Sequence, residues 1–166
     1  AGNQFPVEAY DKFARQFVPR WTGTDEATIA AYTALVEKVG PAVLLFHSQA
    51  GGFGFPIAPM LPDKVKAIVA VEPAVAGDAA LAEQLKDIPI LILYGDFIAR
   101  SARWPRMRQF VVEFAAAVRA AGGRAEVVDL PEVGIRGNSH MMMMDKNSDQ
   151  IAGLIQDWLV KKGLSD

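Results

Sequence analysis

The chain has 166 residues, 51% of them hydrophobic, and a formal net charge of -2. That is enough apolar chain to bury a core, and too little basic charge to invite nucleic acid. No apolar stretch reaches the roughly 18 residues a bilayer span requires, and the absence of cysteine excludes disulfides, thiolate metal sites and a cysteine nucleophile.

The first residues, Ala1 to Pro6, carry neither the charged nor the apolar region of a signal peptide, and Phe5 to Trp21 reads as an amphipathic helix. Asp25 to Val39 predicts a second helix, with Ile29, Tyr32, Leu35 and Val36 on one face. A strand over Ala42 to Phe46 follows and runs into Ser48. Beyond it Gly51, Gly52, Gly54, Pro56 and Pro59 predict a helix that is short or broken. A strand at Ala67 to Val71 precedes a short helix at Asp78 to Lys86. Another, at Pro89 to Tyr94, precedes the strongest helix, Trp104 to Ala121, which Gly122 and Gly123 close. Arg100, Arg103, Arg106 and Arg108 gather near its start, as a solvated loop and helix end do more often than a phosphate site. The last strand, Ala125 to Leu130, leads toward a helix at Ser148 to Lys162 with Ile151, Leu154, Ile155 and Trp158 as its apolar stripe.

Strands alternating with helices predict an α/β fold, a mostly parallel sheet with helices on both faces, formed as one domain over residues 1–166. Right-handed crossovers put every strand's C-terminal end on one rim, and function belongs there. Ser48 lies on that rim. A serine hydroxyl is a weak nucleophile unless a base takes its proton. The chain has two histidines. His47 is the serine's neighbour, and adjacent strand residues point to opposite faces, so His140 in Gly137-Asn138-Ser139-His140 is the base candidate. Small residues after Ser48 suit a sharp turn from strand to helix, which would aim the backbone N–H of Gln49 at a developing oxyanion. A serine that merely caps a helix is the ordinary alternative. Two carboxylates at strand ends could orient the imidazole, Glu72 and Asp96, and the residues alone do not choose between them. Phe46 stands where the Gly-x-Ser-x-Gly elbow has its first glycine, so its ring must either open the turn or swing into an apolar pocket. Phe53 and Met141 are candidates for substrate contact, with core packing as the competing explanation.

These segments resemble the α/β-hydrolase superfamily. They are especially similar to a bacterial carboxylesterase group with a His-Ser-Gln elbow, a Val-Glu-Pro strand end and a Gly-Asn-Ser-His-Met-Met-Met base motif, here His47 to Gly51, Val71 to Pro73 and Gly137 to Met143. The resemblance implies Ser48 as nucleophile, His140 as base and Glu72 as orienting acid, whereas the general superfamily pattern implies Asp96. It further implies an acyl-enzyme esterase on small-molecule esters, with no metal or organic cofactor, and a periplasmic or secreted location, while the composition predicts no nucleic acid or membrane partner. An amidase, peptidase or dienelactone-type hydrolase on the same fold, or a non-catalytic binding module, are the alternatives. The superfamily sheet has about eight strands, and this chain carries the later ones. Its oxyanion hole would therefore be incomplete. The expectation is the C-terminal half of a larger domain, with the earlier strands supplied by a second chain or a further segment, and an apolar strand edge at Ala42 to Phe46.

Overall fold

The computed structural model describes residues 2–19 and 21–164. Four strands, β1 (Ala42–His47), β2 (Val65–Val71), β3 (Ile90–Tyr94) and β4 (Ala125–Asp129), pair in parallel and in chain order. The helices are α1 (Tyr10–Ala14), α2 (Asp25–Val39), α3 (Gly51–Met60), α4 (Trp104–Ala120) and α5 (Ser148–Lys161).

The central strands β2 and β3 are runs of Val, Ile, Leu and Ala because both of their faces are covered. Ile68, Ala70, Ile90, Ile92 and Tyr94 face one core, with Val36 of α2, Phe55 and Ile57 of α3, and Val111 and Phe114 of α4. Val69, Val71, Leu91 and Leu93 face the other, with Ile151 and Trp158 of α5 and Leu130 and Met142 from the connecting loop. Loss of one buried aromatic such as Phe114 would remove about 3–5 kcal/mol, a large part of a domain's net stability. None of the described helices is long and apolar enough to cross a membrane.

Two expected elements form differently, and a third takes one of its two expected forms. The amphipathic helix over Phe5 to Trp21 is replaced by a 3-10 turn at Val7–Ala9 and the short α1. Its aromatics stack on one another, with Phe13 and Phe17 edge to face at 4.9 Å, instead of onto the sheet, and Pro19 stops any continuation. Position 20 lies outside the described residues. The segment after Ser48, expected to be short or broken, is a short continuous helix, α3, of 10 residues, although Pro56 and Pro59 lie inside it. Burial of Phe55, Ile57 and Ala58 outweighs the two lost helix hydrogen bonds. The short helix expected at Asp78 to Lys86 is a 3-10 turn, Ala79–Leu85, with the Asp78 carboxylate accepting from the Ala80 N–H at 2.9 Å.

The strand β1 is an edge of the sheet, and its Leu45 is 61% exposed. An apolar hollow of about 260 Å³ on one side is lined by Tyr32 and Leu35 of α2 and by Leu44, Phe46 and Phe53. Leu45 also borders a second hollow of about 350 Å³, shared with Met142, Met143 and Ile155. Of the face predicted for α2, Val36 is buried, while Tyr32 and Leu35 look into the first hollow and stay half exposed.

Candidate active site

The sequence turns at Ser48 in a way few residues tolerate. Its φ is 56°, in the left-handed region that costs a residue with a side chain about 1–3 kcal/mol. Glu72, at the end of β2, has a φ of 38°. Such strain persists only where the surroundings overdetermine it, and both positions are pinned. The Ser48 carbonyl accepts from the Ala74 N–H at 2.9 Å, and the Glu72 N–H donates to the Leu93 carbonyl at 2.8 Å. A 3-10 turn, Ser48–Ala50, carries the chain from the serine into α3, with the N–H of Gln49 at its start.

Phe46 does not open this turn. Its ring packs edge to face on Phe55 at 4.9 Å and fills the space above Gly54, where an added Cβ would lie 2.2 Å from the ring. The glycine missing from the elbow is in effect relocated to Gly54, so the bulky residue sits in the core and the serine keeps its exit from the sheet.

The rim residues form one hydrogen-bonded run. Ser48 Oγ lies 2.8 Å from His140 Nε2, and His140 Nδ1 lies 2.6 Å from Glu72 Oε2. A carboxylate can only accept, so Nδ1 carries the ring proton and Nε2 is free to accept from the serine hydroxyl. Glu72 is buried, and its other oxygen accepts from the Gly95 N–H at 2.7 Å. Gly95 is a necessity of close approach. A Cβ there would stand 2.7 Å from both Glu72 Oε1 and the Asn138 carbonyl oxygen.

Asp96 is engaged elsewhere. Its Oδ2 accepts from the Gly137 N–H at 2.7 Å, and its own N–H donates to the Asn138 carbonyl at 3.1 Å, which anchors the base of the histidine loop. Of the two carboxylates left open by the sequence, Glu72 is therefore the one joined to His140.

Sequence reasoning missed the rest of the loop's support. The buried Asp145 accepts from Ser139 N–H at 2.8 Å, Ser139 Oγ at 2.7 Å and Asn138 Nδ2 at 3.0 Å. Asn138 and Asn147 exchange two further side-chain hydrogen bonds, at 2.8 and 3.1 Å. A dense set of Asn, Ser and Asp at turn spacing between Asn138 and Ser148 was the available signal. The N-terminal strip adds to it, since Gln4 donates to the Gly137 carbonyl and accepts from the Lys146 N–H, at 2.8 and 2.9 Å.

Two aromatic rings pack against the imidazole, that of His47 with centroids 4.4 Å apart and that of Trp104 at 4.6 Å. His47 Nε2 is 2.7 Å from the His140 carbonyl oxygen. Burial, reinforced by the neighbouring His140, holds the His47 pKa below its ordinary value. Phe53 packs on Tyr32 and lines the hollow between α2 and α3, and Met141 is half buried next to His140, its N–H bonded to Ser139 Oγ at 3.1 Å. The arginine cluster is distributed. Arg108 makes a two-pronged pair with Asp129, while Arg100 and Arg106 lie over the rings of Phe97 and Phe110.

Comparison with solved structures gives a chain described as a novel bacterial esterase, with a TM-score of 0.91 and 40% sequence identity over 97% of this chain and 52% of that one. The parallel four-stranded sheet flanked by helices matches an α/β-hydrolase fold. A second likeness, a predicted CIB-like hydrolase from Thermoplasma acidophilum, has a TM-score of 0.50 and 18% identity over 82% of this chain and 60% of that one, a likeness of fold alone. Among curated proteins a probable secreted lipase, phiG, of a Fungal sp. (strain ATCC 74256), is 28% identical over 193 residues, covering 84% of this chain and 51% of the lipase. No protein-family profile matches. The chain thus spans about half the length of the esterase and lipase it resembles.

Proposed function

We propose that this chain carries the nucleophile, base and acid of a serine hydrolase that cleaves carboxylic esters through an acyl-enzyme. The reading is carried by the run Ser48 Oγ to His140 Nε2 at 2.8 Å and His140 Nδ1 to Glu72 Oε2 at 2.6 Å, at the end of a strained elbow. His140 takes the hydroxyl proton as Ser48 Oγ attacks the ester carbonyl carbon. Glu72 keeps the imidazole in the accepting tautomer and stabilises the imidazolium. As the tetrahedral intermediate collapses, the imidazolium returns its proton to the departing alcohol, and the same ring then draws a proton from the water that releases the acid. The backbone N–H of Gln49 is assigned as donor to the developing oxyanion, a contact worth about 3 kcal/mol in the transition state.

The remaining length of the relatives supplies the earlier strands, which pair with β1, cover Leu45 and contribute the second oxyanion donor. Either a second chain or a further segment of the same one would serve. The names of the two relatives, an esterase and a secreted lipase, support an ester over an amide and favour a secreted or periplasmic setting. The substrate is a small ester with an apolar acyl or alcohol group, and Phe53 and Met141 are candidates for contact with it.

Turnover of matched ester and amide series by the complete protein tests the reading. Esters should be hydrolysed well ahead of amides, and Ser48→Ala should reduce turnover by about 10⁶-fold. Ester turnover that survives Ser48→Ala would contradict it.

A further inference from the structure

Two hydrogen bonds at opposite ends of an imidazole leave it one freedom, rotation about the line that joins its nitrogens. In His140 those ends are held by Ser48 and Glu72. What limits the remaining tilt must be contact with the ring faces and control of the main chain beneath. We propose that His47 and Trp104 are positioning residues for His140, His47 through a hydrogen bond to its main-chain oxygen and both through ring contacts that fix the imidazole plane. The inference rests on the esterase reading above.

The His47 bond has a defined direction. A carbonyl oxygen only accepts, so Nε2 of His47 carries a proton and donates to His140 at 2.7 Å. This ties the last residue of β1, next to Ser48, to the loop that carries the base 93 positions away. The nucleophile's strand and the base's loop are thereby joined directly as well as through the reacting atoms. Trp104 is placed from a third direction. It opens α4, its N–H donates to Ser101 Oγ at 3.4 Å and Pro105 follows it, so backbone freedom at the ring's base is small. The two rings meet the imidazole tilted by 40° and 48°.

Charge supports the same assignment. The ionisable groups facing His47 are His140 and Glu72, and burial keeps His47 uncharged in the neutral range. When His140 becomes an imidazolium it therefore lies against an uncharged imidazole and the indole of Trp104, the aromatic ring that attracts a cation best. A second charged imidazole at this distance would oppose proton uptake; a neutral one does not.

The test uses the complete protein with four variants, His47→Leu, His47→Gln, Trp104→Leu and Trp104→Phe, read by kcat, KM and the rate of labelling by a fluorophosphonate. Since misplacement by about 1 Å costs about 10²-fold, His47→Leu and Trp104→Leu should lower kcat and labelling by about 10- to 100-fold, with KM changed by less than about two-fold. Gln keeps an N–H donor and Phe keeps a ring, so each should recover most of the loss. Should the leucine variants fail to fold, the Gln and Phe variants decide on their own: near-native kcat supports positioning, and a loss as deep as about 100-fold overturns it. Leucine variants that fold and keep native kcat overturn it as well. A native protein that neither turns over esters nor labels at Ser48 overturns the esterase reading, and this inference with it, whereas a native protein that does both leaves the variants to judge the inference alone.

Discussion

Gly95→Ala probes the site without touching any of its reacting atoms. The new methyl carbon would lie 2.7 Å from Glu72 Oε1 and 2.7 Å from the Asn138 carbonyl oxygen. Ordinary contact between a carbon and an oxygen begins at about 3.3 Å, so one or both oxygens must retreat by roughly half an ångström. Neither can do so freely. Glu72 is bonded to His140 through its other oxygen, and Asn138 accepts from the Asp96 N–H and is netted to Asp145. Overpacking of this kind costs about 1–3 kcal/mol. With a penalty of about 10²-fold per ångström of misplacement, a half-ångström shift of the carboxylate should lower kcat by about ten-fold. Urea denaturation of the complete protein, with ester turnover measured on the same sample, reads both numbers. A Gly95→Ala protein with the native midpoint and native kcat would refute the claim that Glu72 is held against His140 by a contact that requires glycine.

Further outcomes follow from the same geometry. Glu72→Gln should lower turnover by about 10³- to 10⁴-fold, because the imidazole loses its tautomer partner. Asp96→Asn should cost about 1 kcal/mol of stability through the Gly137 N–H, with turnover reduced far less, and equal losses in the two variants would contradict the assignment. His47 has a pKa held below its ordinary 6.5, so the unfolded chain takes up a proton near that pH which the folded chain refuses. Stability should therefore fall as pH drops below about 6.5, with a slope of at most about 1.4 kcal/mol per pH unit from this group. His47→Gln should flatten that limb of the denaturation midpoint against pH, and an unchanged slope would contradict the assignment. Leu45 is 61% exposed on β1, and the earlier strands proposed above to pair with β1 would bury it. Leu45→Lys should then lower stability by about 2–4 kcal/mol, whereas a change within about 0.5 kcal/mol would mark it as surface.

Strand and helix order was legible because each element follows a simple period. Buried runs such as Ile90 to Tyr94 need apolar residues at every position, and α4 and α5 show their stripes at helical spacing. What the sequence concealed depended on contacts far along the chain. The continuity of α3 through Pro56 and Pro59 is a product of burial, and local propensity argues against it. The aromatics of the N-terminal strip look like a helix stripe but pair with one another, and Tyr32 and Leu35 of α2 line a hollow instead of a core. At the site, Ser48 and His140 stood out as the residues able to perform nucleophilic chemistry. The residues alone left Glu72 and Asp96 open, with only the family resemblance favouring Glu72, because both end strands on the same rim and only the path of the 137–147 loop decides which one meets the imidazole. Phe46 looked like a defect in the elbow, and the notch that receives it, Gly54, lies one helical turn inside α3. Asp145 could not be distinguished from a surface carboxylate, since its burial arises from the folding of its own loop.

The central claim, that Ser48 is a nucleophile activated by His140, is tested most directly by treating the complete protein with a fluorophosphonate and locating the adduct by peptide mass spectrometry. The account predicts stoichiometric modification of Ser48, slowed by at least about 10³-fold in His140→Gln. Modification at another residue, or labelling of Ser48 at the same rate without His140, would contradict it.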